Sequence, residues 1–194
     1  MVLSNFNILV QNFQMKKSSV LFYIIVFITS SIIAQSNRAK GKIIPDFGKT
    51  FKVENPEIAT DTAATFKVIF DVSKSSENKT QINSNIVTAA RFLNMHADSG
   101  MDISQLNVAI TIHGGAWKDV LTDSVYLEKY GSKNPNTELI KQLNTAGVDI
   151  IFCGQTANFR NVSRSETNPN VKFALSAMTA LLQYQNNGYH FIKF

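Results

Sequence analysis

Three short apolar runs, at residues 66–72, 106–112 and 148–152, are separated by stretches in which apolar residues recur every three or four positions. Near-continuous apolar content over five to seven residues suits a strand covered on both faces, and the intervening periodicity suits an amphipathic helix. A strand that follows a helix re-enters the sheet by a crossover, so the pairing is expected to be parallel. The expected fold class is α/β: a three-layer sandwich, its mainly parallel sheet covered by helices on both faces.

The pattern also sets boundaries. A first helix runs from beyond Lys79 to about His96, with Ile82, Ile86, Ala89, Ala90 and Leu93 on one face, and ends at Asp98-Ser99-Gly100. A second covers residues 136–146, turns Leu139, Ile140 and Leu143 inward, and stops at Gly147. A third is expected over 170–187, capped by Asn168 or Asn170 and stopped at Gly188, with a last strand at 189–194.

What precedes this domain is of another kind. Met15-Lys16-Lys17 is followed by an uncharged stretch, 18–34, rich in Leu, Ile, Val and Phe and ending on Ala34. A basic start, an apolar middle and a small residue describe a secretory signal peptide over 1–34, with 1–14 upstream of the true start. The mature chain is then exported, periplasmic or secreted, and keeps no membrane span. Residues 35–65 are polar and broken by Pro45, Gly48 and Pro56, an extended arm lying on the domain or on a neighbouring subunit; 66–194 form the domain. Without Lys16 and Lys17 the net charge falls from +5 to +3. That is too mild for a nucleic-acid partner, and no basic run interleaved with aromatics occurs.

Two strand ends carry chemistry. Cys153, the one cysteine of the chain, directly follows the third apolar run and precedes Gly154. Open α/β sheets bind ligands at the carboxyl ends of their strands. The thiol there is either a working nucleophile or a small buried hydrophobe; no internal disulfide is open to it. The second run ends in His113-Gly114-Gly115, where two glycines allow backbone amides to approach an anion or a carbonyl oxygen. A hydrolase reading of this loop lacks the Gly-x-Ser-x-Gly it needs. His96, His113, Cys153 and His190 show no metal-ligand spacing, and no phosphate loop or dinucleotide fingerprint occurs. No metal or cofactor is expected.

Gly147-Val148, four residues, Cys153, then Arg160 and Val162 resemble the Gly-Val-x4-Cys…Arg-Gly-Val pattern of the DsrE/DsrF-like sulfur-relay family, over about 66–194. Asn161 stands in place of the pattern's glycine, and asparagine is the side chain that best tolerates a left-handed backbone. The resemblance implies a small α/β sandwich that assembles as a homo-oligomer, a trimer or hexamer. It also implies a cysteine, Cys153, that carries sulfur as a persulfide between donor and acceptor proteins. Amides after Gly154, together with Arg160, would stabilise the anion, and His113, Gly114 and Gly115 would border the crevice. The other reading is a non-catalytic oligomeric module that binds a small ligand in that crevice and keeps Cys153 buried and inert.

Overall fold

The computed structural model describes residues 38–193; the leader expected at 1–34 lies outside them. Five strands, β1 (Phe66–Val72), β2 (Leu106–Ile112), β3 (Asp149–Cys153), β4 (Lys172–Ala174) and β5 (His190–Ile192), form one parallel sheet in the order β4-β3-β2-β1-β5. Phe66 pairs with Leu106 at one end of the central ladder and Val72 with Ile112 at the other. In β3, Ile151 lies beside Thr111, and Cys153 beside Ala174 of β4.

Alternation along the strands sorts the side chains onto two faces. Val68, Phe70 and Val72, Val108, Ile110 and Ile112, and Ile150 and Phe152 build the larger core. It is closed by α1 (Ser84–Asp98), through Ile86, Ala89, Ala90 and Leu93, and by α3 (Thr137–Thr145), through Leu139, Ile140 and Leu143. In chain order α2 (Asp123–Tyr130) comes between these two helices. Ile69, Ala109 and Ile151 face the other way, onto Ala180 and Leu181 of α5 (Ala177–Asn186). The molecule is thus the expected sandwich, a parallel sheet between helical layers.

The third expected helix begins later than its apolar content suggests. Val171 is buried and Phe173 packs edge-on against Phe152, with ring centroids 5.4 Å apart, so 172–174 extend as the edge strand β4. Asn168 Oδ1 does accept an amide, that of Asn170 at 3.0 Å, but it closes a turn before β4. The helix cap is Ser176, whose Oγ accepts from Thr179 N at 3.0 Å. Edge pairing and aromatic packing decided the conformation here, against local helix propensity.

Residues 39–65 lie on the domain. Asn94, in the middle of α1 and fully buried, accepts the amides of Ile43 and Ile44 and donates to the carbonyls of Ile44, Phe47 and Gly48. One amide side chain thereby satisfies the backbone of the loop at 43–48, and Ile44 is pulled into the core.

Candidate functional site

Cys153 ends β3 and caps α4 (Gly154–Phe159), a helix the sequence reading did not anticipate. Its Sγ accepts the amide of Thr156 at 3.4 Å, the arrangement of an N-cap side chain three residues before its donor. The face it occupies is that of α5. Burial opposes ionisation of the thiol; hydrogen bonds from the Thr156 hydroxyl, the Thr156 amide and the amides of Ala177 and Gln155 outweigh it and hold the pKa below the ordinary value. Donors from the start of α4 and the first residue of α5 therefore converge on one sulfur. The residue is 5% exposed.

Thr156 links the two glycine-bearing strand ends. Its Oγ1 accepts the Gly114 amide at 3.2 Å while its hydroxyl serves the sulfur. Gly114 has φ 55°, a left-handed backbone, and a Cβ there would sit 3.3 Å from the Ser73 carbonyl oxygen. Glycine is thus required to bring this amide to Thr156. Gly154 is held to glycine by a close approach of backbone. A Cβ on it would lie 2.7 Å from the Ala174 carbonyl oxygen and 3.2 Å from that of Leu175. Its bare backbone lets the β4–α5 connection close over β3 and bring the Ala177 amide to Cys153.

Replacing Thr156 with valine keeps the shape and removes the hydroxyl. The Cys153 pKa is expected to rise, and alkylation by iodoacetamide at neutral pH to slow several-fold, because a charge-assisted hydrogen bond to the thiolate is lost. An unchanged rate-against-pH curve would show that the hydroxyl has no hold on the sulfur.

His113 turns toward β1. Its Nε2 lies 2.7 Å from Oδ1 of Asp71, a carboxylate almost fully buried, and Lys193 Nζ lies 2.9 Å from Oδ2 of the same group. Arg160 is directed elsewhere. Its guanidinium lies over the rings of Trp117 and Phe159, 5.7 and 5.2 Å from their centroids, and the groups that lower the Cys153 pKa do not include it. The backbone it introduces is as expected: Asn161 has φ 52°.

Behind His113-Gly114-Gly115, the chain runs through a 3-10 segment, Gly114–Val120, that carries the buried Asp119. Asp119 Oδ1 accepts from Ser75 Oγ at 2.6 Å and Asn136 Nδ2 at 3.3 Å, and Oδ2 from Asn83 Nδ2 at 2.6 Å. Asn83 caps α1 and Asn136 precedes α3, so one carboxylate ties both helix starts to the loop beside Cys153.

Thr156, Asp71, Lys193 and Asp119 escaped the sequence reading. Two left a signal: a hydroxyl three residues after a strand-ending cysteine has capping spacing, and Asp71 is an acid inside an apolar strand. Lys193 and Asp119 have none, since their side-chain partners lie at least 17 residues away. Among the described residues no group of three His, Cys, Asp or Glu side chains is placed to hold a metal ion, and no helix is long and apolar enough to cross a membrane.

A family profile, the DsrE/DsrF-like family, matches residues 67–194. Among solved structures, a protein of unknown function from Methanobacterium thermoautotrophicum, MTH1491, superposes with a TM-score of 0.51 at 13% identity, covering 66% of this chain and 99% of that one. The ychN protein of E. coli does so with a TM-score of 0.50 at 13% identity, covering 67% and 100%. Identities this low speak for the fold alone. No curated protein matches.

Proposed function

This chain belongs to the DsrE/DsrF-like family, and from that premise we propose that it carries sulfur as a persulfide on Cys153. The observation that supports the reading is the Thr156 amide on Sγ at 3.4 Å, with the Thr156 hydroxyl and the amides of Ala177 and Gln155 also lowering the thiol's pKa. Such donors stabilise the thiolate and so raise the fraction of Cys153 able to attack a donor persulfide. The thiolate attacks the outer sulfur of a donor R–S–SH. The donor S–S bond breaks, its electron pair leaves on RS⁻, and the outer sulfur remains bonded to Sγ. An acceptor thiolate then removes that sulfur by the same exchange, and nothing is oxidised or reduced overall. With Sγ so little exposed, the donor is a small persulfide able to enter where a folded protein's cysteine cannot.

The same burial favours the second reading, an inert cysteine in a ligand-binding module. Native protein treated with cysteine persulfide separates the two. Gain of one sulfur atom per chain, by intact mass and reversible with thiol, is the expected result. A thiol that reacts only after denaturation would leave the binding module.

Self-association belongs to the proposal. One helix, α5, covers its face of the sheet, and its Met178 and Leu182, one turn apart, are 72% and 62% exposed, with Leu175 beside them equally bare. A second copy that buries this stripe gives a homo-oligomer, a trimer or hexamer. Changing Met178 and Leu182 together to aspartate is expected to give monomers by light scattering; an unaltered assembly would place the interface elsewhere. Export is proposed on the 15–34 pattern alone, and N-terminal sequencing of secreted material should begin near Gln35.

A further inference from the structure

Thr111 and Ile151 pair in register on adjacent strands. Two residues further along each strand stand His113 and Cys153. His113 keeps extended backbone, φ −157° and ψ −174°, and its amide still bonds to the Val72 carbonyl at 3.0 Å, so it continues the alternation of β2. Its side chain therefore falls on the face of Asp71 and Thr111, which is also the face on which Cys153 meets α5. Neighbouring parallel strands run about 4.8 Å apart, so the two side chains leave adjacent strands on one face, with the far end of the imidazole turned to Asp71. The ring is oriented, since Nε2 is taken by Asp71, which Lys193 holds from its other oxygen. Nδ1 has no partner among the described residues. Below the pair, Thr111 Oγ1 is fully buried on the same face and likewise unpartnered, a polar atom left for a bound group to satisfy.

We propose that His113 is a catalytic residue of sulfur transfer at Cys153, moving one proton from the newly bound outer sulfur to the departing thiolate, and that Asp71, braced by Lys193, is its positioning residue. The inference rests on the carrier reading above. A donor R–S–SH brings its proton on the outer sulfur. Attack by Sγ gives Cys153–S–SH and RS⁻. A protonated His113 delivers a proton to RS⁻, giving RSH, and the neutral ring then removes the proton from Cys153–S–SH, giving the persulfide anion and restoring the imidazolium. The sum is thiolate plus R–S–SH to persulfide anion plus RSH, and no further reagent enters. The ligand class follows: low-molecular-weight persulfides of alkyl thiols, whose leaving groups are basic enough to need the proton.

The test compares leaving groups. Native protein, His113→Gln and Asp71→Asn are each loaded from a cysteine persulfide and from the persulfide of an aromatic thiol, a far better leaving group, and each is also alkylated with iodoacetamide. Expected for His113→Gln is a fall of about 100-fold in transfer from the alkyl donor, only a few-fold from the aromatic donor, and a small change in alkylation, which needs no proton. Asp71→Asn, which keeps the ring but loosens its hold, should fall in the same order by about tenfold. Equal losses with both donors, or none, would overturn the proton transfer and leave the carrier standing. A wild-type protein that alkylates but gains no sulfur from either donor removes the carrier reading and the inference with it.

Discussion

Cys153→Ser is expected to take up no sulfur from any persulfide while the wild-type protein gains one atom per chain, a loss limited only by detection. The reason is chemical: a serine hydroxyl is not ionised at neutral pH and forms no bond to sulfane sulfur under these conditions. The fold should survive. Serine is a good helix N-cap, and its oxygen can accept the Thr156 and Ala177 amides that now serve the sulfur. Melting and light scattering should therefore match the wild type, so the lost uptake cannot be charged to unfolding. Uptake that persisted in the variant would place the sulfur on some group other than the chain's one thiol, and the persulfide mechanism would fall.

Asp119→Ala should cost about 3 kcal/mol. Its removal leaves one hydrogen each on Asn83 and Asn136, and the Ser75 hydroxyl, without an acceptor in a buried setting. Unmet donors of this kind cost about 1–3 kcal/mol apiece, and the relief of no longer burying a carboxylate offsets part of the sum. At about 2–4 °C per kcal/mol for a domain of this size, melting should drop by about 10 °C. A shift under about 2 °C would mean that the asparagines find other partners. The effect of pH has a definite sign. Burial raises the Asp119 pKa, against hydrogen bonds from Ser75 and Asn83 and the nearby Lys118 and Lys79. A carboxyl that binds its proton more tightly in the folded chain favours folding fully below its unfolded pKa, and that contribution is lost as pH rises through the raised value. Asp119→Asn, which does not titrate, should gain on the wild type in chemical denaturation as pH climbs from about 3.9 toward neutrality.

Where periodicity was long and unbroken, the sequence was sufficient. β1 and β2 begin and end where their apolar runs do, and α3 lies within one residue of its expected limits at each end, because both patterns report burial directly. Cys153 was placed at a strand end, and His113-Gly114-Gly115 at the end of the neighbouring strand, by the same logic. Asn161 was read correctly as a left-handed position since the preference is a property of its own backbone. What failed was short or long-range. β4 has three residues and owes its conformation to β3 and Phe152 rather than to its own composition.

The character of the thiol, too, lay beyond one dimension. Its hydrogen-bond donors arrive from positions 155, 156 and 177, and Thr156 is steadied by an amide from position 114. Asp71, His113 and Lys193 meet only because β5 docks beside β1 after the chain has crossed the whole sheet. Local backbone preference and the period of burial are written in neighbouring residues and can be read there. The field at a sulfur atom is a sum over groups that only the folded sheet brings within a few ångströms, and it falls off too steeply with distance for any nearer stretch of sequence to stand in for them.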